Sequence, residues 1–170
     1  MFQIGVIGSG YGISEDVKAL AYEVGAELAK AGVILICGGK GGVMEAACKG
    51  CYDNNGISVG ILPSIHKDEA NKYVKIKIPT NLGEDRNYIV VQSSDALICI
   101  AGVFGTRMEA DYSLKLNKIL ITIPKSGGVS KEFAKKYANN KNYKVFVAGN
   151  AKDAVGLALL KLKEENNKNE

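Results

Sequence analysis

The chain has 170 residues, 46% of them hydrophobic and 24% charged, with a formal net charge of +4. That length is enough for one sizeable core, and no apolar run reaches the ~20 residues of a membrane helix. The basic residues are scattered lysines apart from Arg86 and Arg107, so neither a nucleic-acid surface nor a membrane partner is expected; with no signal peptide legible, a cytoplasmic protein is.

Phe2 to Ile7 reads as a first strand and runs into Gly8-Ser9-Gly10-Tyr11-Gly12. Ser14 then offers an N-cap, and Val17, Leu20, Ala21, Val24 and Leu28 share one face of a helix that Gly32 ends. Val33 to Ile36 is wholly apolar, as a strand buried in a parallel sheet should be, and it meets Cys37-Gly38-Gly39-Lys40-Gly41-Gly42 before a helix from Val43 to Tyr52. A turn, Asp53 to Gly56, precedes a third strand, Ile57 to Leu62, and a polar loop, Pro63 to Lys72. In Tyr73 to Ile78, apolar Val74, Ile76 and Ile78 alternate with lysines, which predicts a strand near the sheet edge with one face exposed.

A helix from Glu84 to Gln92 carries Arg86 in its first turn. The apolar run Ala96 to Ile100 is a further strand that delivers its end to Gly102-Val103-Phe104-Gly105 and a helix beginning near Thr106. Ile119 to Ile123 is the next strand, Ser130 caps a helix through Tyr137, and Lys144 to Val147 is a last strand. Asn150 with Asp153 starts the final helix. The chain is thus read as one domain, 1–162, with a charged, frayed tail, 163–170.

Regular alternation of strands and helices predicts an α/β fold, a Rossmann-like doubly wound, mainly parallel sheet with helices on both faces. Ligands in such sheets bind beyond the carboxyl ends of the strands, where unpaired N–H groups and helix dipoles favour anions. The three glycine-rich turns, Gly8 to Gly12, Gly38 to Gly42 and Gly102 to Gly105, all belong on that rim.

Several common chemistries are disfavoured. The first turn has Ile13 where the dinucleotide fingerprint requires its third glycine, and the second strand ends in Cys37-Gly38-Gly39 rather than in a ribose-binding acid. There is no Walker lysine-serine pair. Cys48 and Cys51 form a Cys-x-x-Cys without a second pair, and His66 is the sole histidine, so no metal site and no cofactor are expected. Cys37 and Cys99 read as small core residues. Thr106-Arg107-Met108-Glu109 has two readings that the residues leave open, a helix capping box or part of a site. Arg86 is likewise open to pairing with Glu84, Asp85 or Asp111.

The runs Gly38-Gly39-Lys40-Gly41-Gly42-Val43-Met44, Glu84-Asp85-Arg86-Asn87 and Gly102-Val103-Phe104-Gly105-Thr106-Arg107-Met108-Glu109 resemble those of LONELY GUY (LOG) proteins, once labelled lysine decarboxylases. The run Gly38 to Gly50, with Ser58 to Pro63 and Ile78 to Asn87, is closer still to the small prokaryotic branch that resembles molybdenum cofactor carrier proteins. The resemblance spans roughly residues 2–160. It implies a homodimer or higher homo-oligomer, built on the helices near Arg86 and Thr106 and the run Ile89 to Val91, that binds a phosphorylated nucleotide-like small molecule. It further implies a phosphoribohydrolase that cleaves the N-glycosidic bond of nucleoside 5′-monophosphates, with Arg86 and Glu109 catalytic. An ionised Glu109 would stabilise the positive charge growing on the ribose and orient water, and Arg86 would hold the substrate or assist the departing base. The ligand-binding residues expected are Gly8, Ser9, Gly10, Gly38, Gly39, Gly41, Gly42, Met44, Gly102, Gly105, Thr106 and Arg107. The alternative is a non-catalytic carrier of the molybdenum cofactor, whose pterin phosphate would use the same rim. Ala101 and Val103 stand where the enzyme pattern has proline and glycine, and Val103 is expected to stiffen a loop that needs glycine.

Overall fold

A computed structural model describes residues 1–168. Seven strands, β1 (Gln3–Gly8), β2 (Ile34–Cys37), β3 (Ile57–Leu62), β4 (Ile76–Pro79), β5 (Ala96–Ile100), β6 (Ile119–Thr122) and β7 (Val145–Val147), form one sheet in the order β4-β3-β2-β1-β5-β6-β7. Every pairing is parallel. Among the described residues five α-helices lie between strands, α1 (Glu15–Lys30), α2 (Val43–Asp53), α3 (Arg86–Gln92), α4 (Phe104–Lys115) and α5 (Gly128–Tyr137), and a sixth, α6 (Ala151–Asn166), follows β7. This is the Rossmann-like doubly wound fold expected from the sequence.

Two-residue periodicity divides each central strand between two cores. Ala96, Ile98 and Ile100 of β5 join α1, α2 and α6 on one face, whereas Leu97 and Cys99 join Val90, Ala110, Val129 and Phe133 of α3, α4 and α5 on the other. The chain fills the sheet outward from β1 to β4, then crosses to β5 on the other side of β1, so the switch point lies between β1 and β5. Gly8 pairs with Ile100 at its mouth.

The caps at Ser14, whose Oγ accepts from the Val17 N–H, and at Asn150, whose Oδ1 accepts from the Asp153 N–H, form as the sequence predicts. Other boundaries differ. The edge strand is only Ile76–Pro79, with Val74 buried ahead of it in the core while Ile76 and Ile78 face solvent. Ser130 is the third residue of α5 rather than its cap, because its buried hydroxyl is held between strands: it accepts from the Ile123 N–H at 2.8 Å and donates to the Cys99 carbonyl at 2.8 Å. α6 continues through Asn166, four residues into the stretch read as tail; residues 169 and 170 lie outside the described part.

Candidate functional site

The three glycine turns do converge. The Ser9 carbonyl accepts from the Val43 N–H at 2.9 Å, which joins the turn after β1 to the start of α2. Gly42, at φ +61°, lies so close that a Cβ there would stand 2.2 Å from the Ser9 oxygen, so the junction requires glycine. Asn71, from the loop read only as polar, braces the same turn, its Nδ2 donating to the Gly39 and Lys40 carbonyls at 3.3 and 2.9 Å. Met44 packs into the core with its methyl toward Gly10.

Arg86 links this turn to α3. A short 3-10 turn, Gly83–Asp85, precedes the helix and sets Arg86 at its first position, 7% exposed. Its Nη1 donates to the carbonyl oxygens of Gly38 at 2.5 Å and Ile61 at 2.7 Å. It therefore bridges the ends of β2 and β3 and does not pair with Glu84, Asp85 or Asp111. Its Nε is buried and has no hydrogen-bond partner among the described residues.

At the third turn, Val103 is the N-cap residue of α4, and the first backbone bond of the helix runs from the Arg107 N–H to the Val103 carbonyl at 2.9 Å. The N–H groups of Phe104, Gly105 and Thr106 therefore have no partner within the helix and carry its positive dipole end. Thr106 occupies the third helical position and Glu109 the sixth, so the capping-box reading is wrong: neither sits at a cap. Val103 has φ −127°, which a β-branched residue adopts readily. The strained position is instead Ala101, at φ +51°. Ala101 is held there by its N–H donating to Ser126 Oγ at 2.7 Å and its carbonyl accepting from the Ser130 N–H at 3.0 Å.

Glu109 is 8% exposed. Burial pushes its carboxyl up to about 8, against the pull of the Arg86 charge and with smaller contributions from Cys37 and Glu84. Among the described residues neither Arg86 nor Glu109 belongs to an ion pair. Near neutral pH the carboxyl is mainly protonated, so the cluster presents hydrogen-bond donors: the Arg86 Nε, the Glu109 acid and the amides of α4. Asn87, which follows Arg86 and has no role legible in the sequence, is also buried, and its Nδ2 lies 4.0 Å from the point a Cβ on Gly105 would occupy. Its signal was adjacency to Arg86 at the start of a helix.

Arg107 is placed differently. Its guanidinium forks onto both carboxylate oxygens of Glu132 on α5 and lies 6.0 Å from the Phe133 ring centroid, so it is engaged away from the cluster. Open clefts also lie elsewhere, one of ≈ 490 Å³ beside Tyr52, Asn55 and Lys72, one of ≈ 460 Å³ beside Asp16, Glu23 and Lys125 and one of ≈ 420 Å³ among Tyr11, Glu45, Lys49 and Tyr73. Arg86 and Glu109 line none of these; they sit beneath the rim. No group of three or more potential metal-binding side chains occurs among the described residues, and none of their helices is long and apolar enough to cross a membrane.

The model of the SLOG cluster4 family matches residues 1–155. An uncharacterized protein of Archaeoglobus fulgidus is 47% identical over 118 residues, which is 69% of this chain and 77% of that protein. The solved molybdenum cofactor binding protein of the phototrophic bacterium Rippkaea orientalis is similar with a TM-score of 0.84 at 33% identity, covering 94% of this chain and 96% of that one. The molybdenum cofactor carrier protein of Chlamydomonas reinhardtii gives a TM-score of 0.82 at 31% identity, over 96% and 99% of the two chains. The family resemblance carried by the glycine motifs is thereby borne out.

Proposed function

The chain belongs to the SLOG cluster4 family, and on that footing we propose that it binds a phosphorylated small molecule at the β1–β5 switch point and holds it without cleaving it, as a carrier of the molybdenum cofactor. The observation that carries this reading is the donor cluster itself. Phosphate oxygens are acceptors only, and they match the free amides of Phe104, Gly105 and Thr106 at the N-terminus of a twelve-residue helix. Arg86, tied through Nη1 to two carbonyls, retains an unpartnered Nε for the same ligand. Similarity over nearly the whole chain to cofactor-binding proteins from two organisms supports a pterin phosphate as the ligand.

A second reading, hydrolysis of nucleoside 5′-monophosphates, is favoured by one observation. A carboxyl raised to about 8 is suited to protonating a departing base. The same protonation weighs against the other half of that chemistry, because a neutral Glu109 cannot stabilise positive charge on the ribose. Both readings share the phosphate site and a homodimer or higher homo-oligomer through α3 and α4, where Tyr88, Val103 and Phe104 stand exposed.

Two assays separate the readings. Anaerobic gel filtration of the protein with molybdenum cofactor released from a molybdoenzyme should carry fluorescent pterin into the protein fraction, and incubation with AMP should leave the nucleotide intact. Free adenine and ribose 5-phosphate, with no pterin retained, would reverse the assignment. A light-scattering mass of a single chain would contradict the oligomer.

A further inference from the structure

The Cys-x-x-Cys visible in the sequence is not the pair the fold assembles. Cys48 lies one and a half turns into α2, and its Sγ is 3.5 Å from the Sγ of Cys37, the last residue of β2. All four cysteines are free and buried. Cys37 differs from the others chemically. Its sulfur shares a hydrogen bond with Cys48, accepts one from the Gly39 N–H at 3.3 Å and feels the Arg86 charge, and together these outweigh its burial and hold its thiol below the ordinary value. Burial pushes Cys51 up to about 11 and holds Cys99 higher still; Cys48 is raised as well, first by its contact with Cys37 and then by burial, so Cys37 is the nucleophile of the pair and Cys48 the thiol placed to resolve it.

We propose that Cys37 and Cys48 are an oxidative modification site, a dithiol that a small hydroperoxide converts to a disulfide and whose closure disturbs the seat of Arg86. The Cys37 thiolate attacks one peroxide oxygen; an S–O bond forms, the O–O bond breaks, and the leaving alkoxide or hydroxide takes up a proton. The Cys48 sulfur then displaces the hydroxyl group from Cys37, forming the S–S bond, while the Cys48 proton departs with that hydroxyl as water. Two thiols are oxidised by two electrons, and the hydroperoxide is reduced to an alcohol, or to water, plus water. Because both sulfurs are covered, the oxidant must be small, so hydrogen peroxide should act where glutathione disulfide does not.

The structural consequence follows from adjacency. A disulfide needs the sulfurs at about 2.0 Å, so closure draws Cys37 toward α2 and away from the Gly39 N–H. The carbonyl between those residues is that of Gly38, which accepts from Arg86 at 2.5 Å. Moving it releases the guanidinium. This holds whatever ligand the rim binds.

The test treats the reduced, folded protein with hydrogen peroxide, alkylates the remaining thiols after unfolding and maps peptides without reduction. Alongside, the Arg86 guanidinium signals are followed by NMR. The expected result is a peptide pair joined through Cys37 and Cys48, a shift of the Arg86 signals on oxidation that reverses with dithiothreitol, and neither change in Cys48→Ala. Cys51→Ala should form the bridge normally, which controls for damage to α2. A Cys48–Cys51 bridge, four thiols recovered free, or Arg86 signals unmoved by closure would each overturn the proposal.

Discussion

The Nη1 of Arg86 stands 2.5 Å from the carbonyl oxygen of Gly38, and a Cβ at position 38 would fall only 1.9 Å from that nitrogen. The only arginine outside α4 thus fits because its partner has no side chain. Gly38→Ala is expected to expel the guanidinium and destabilise the fold by roughly 2–4 kcal/mol, the scale of stranding a buried charge and its acceptors. Arg86→Lys keeps the charge, but its shorter stem ends short of the place where Nη1 meets the Gly38 and Ile61 carbonyls, so it should cost about half as much. Urea unfolding checks both; a Gly38→Ala protein as stable as the parent would contradict the seat described.

Glu109→Gln carries a prediction with a definite sign. The folded carboxyl titrates near 8 against an ordinary 4.5, so between those values the native state holds a proton that the unfolded chain has lost. Stability should be fullest below about pH 4.5, fall as pH rises toward 8 and level off above it, with a total loss of a few kcal/mol. Glutamine removes the titration, so the variant should match the parent near pH 4 and be the more stable protein near pH 9. Urea midpoints at the two pH values decide it, and parallel curves would show that Glu109 is not held neutral.

The loop that departs from the enzyme pattern can be probed at both positions. Ala101 has φ +51° and Val103 has φ −127°. Ala101→Gly relieves left-handed strain of about 1–2 kcal/mol and adds the flexibility cost of glycine, for a net gain of about 0.5–1 kcal/mol. Val103→Gly relieves nothing and should lower the unfolding midpoint. The opposite order would place the strain at Val103.

Arg107 is tied to Glu132 on the exposed side of α4. Arg107→Ala should leave both the unfolding midpoint and the affinity for phosphate within experimental scatter of the parent, since exposed pairs contribute little. A tenfold loss of phosphate affinity by calorimetry would return Arg107 to the ligand site.

Much of this molecule is legible in its sequence where a local pattern has a single physical cause. The apolar run Ala96 to Ile100 can only be a doubly covered strand, and the glycines after β1, β2 and β5 mark backbones that approach one another. What the sequence hides depends on contacts between distant segments. Thr106 and Glu109 carry capping-box spacing, yet the helix starts at Phe104 because Gly102 and Ala101 are bound to α5 through Val129 and Ser130. Arg107 looked like a phosphate ligand until α5 supplied Glu132. Cys48 looked paired with Cys51, although its neighbour in space is Cys37, eleven residues earlier. Asn71 and Asn87 lie in segments whose composition says only loop and helix.

The central claim, an acceptor-rich ligand seated on the first turn of α4 beside Arg86 and Glu109, is tested most directly by titrating the isotopically labelled protein with inorganic phosphate and AMP and following its amide signals. The backbone amides of Phe104, Gly105 and Thr106 and the side-chain amide of Asn87 should shift together, with saturation, for both ligands. Shifts confined to the cleft of Tyr11, Lys49 and Tyr73, or none at all, would contradict it.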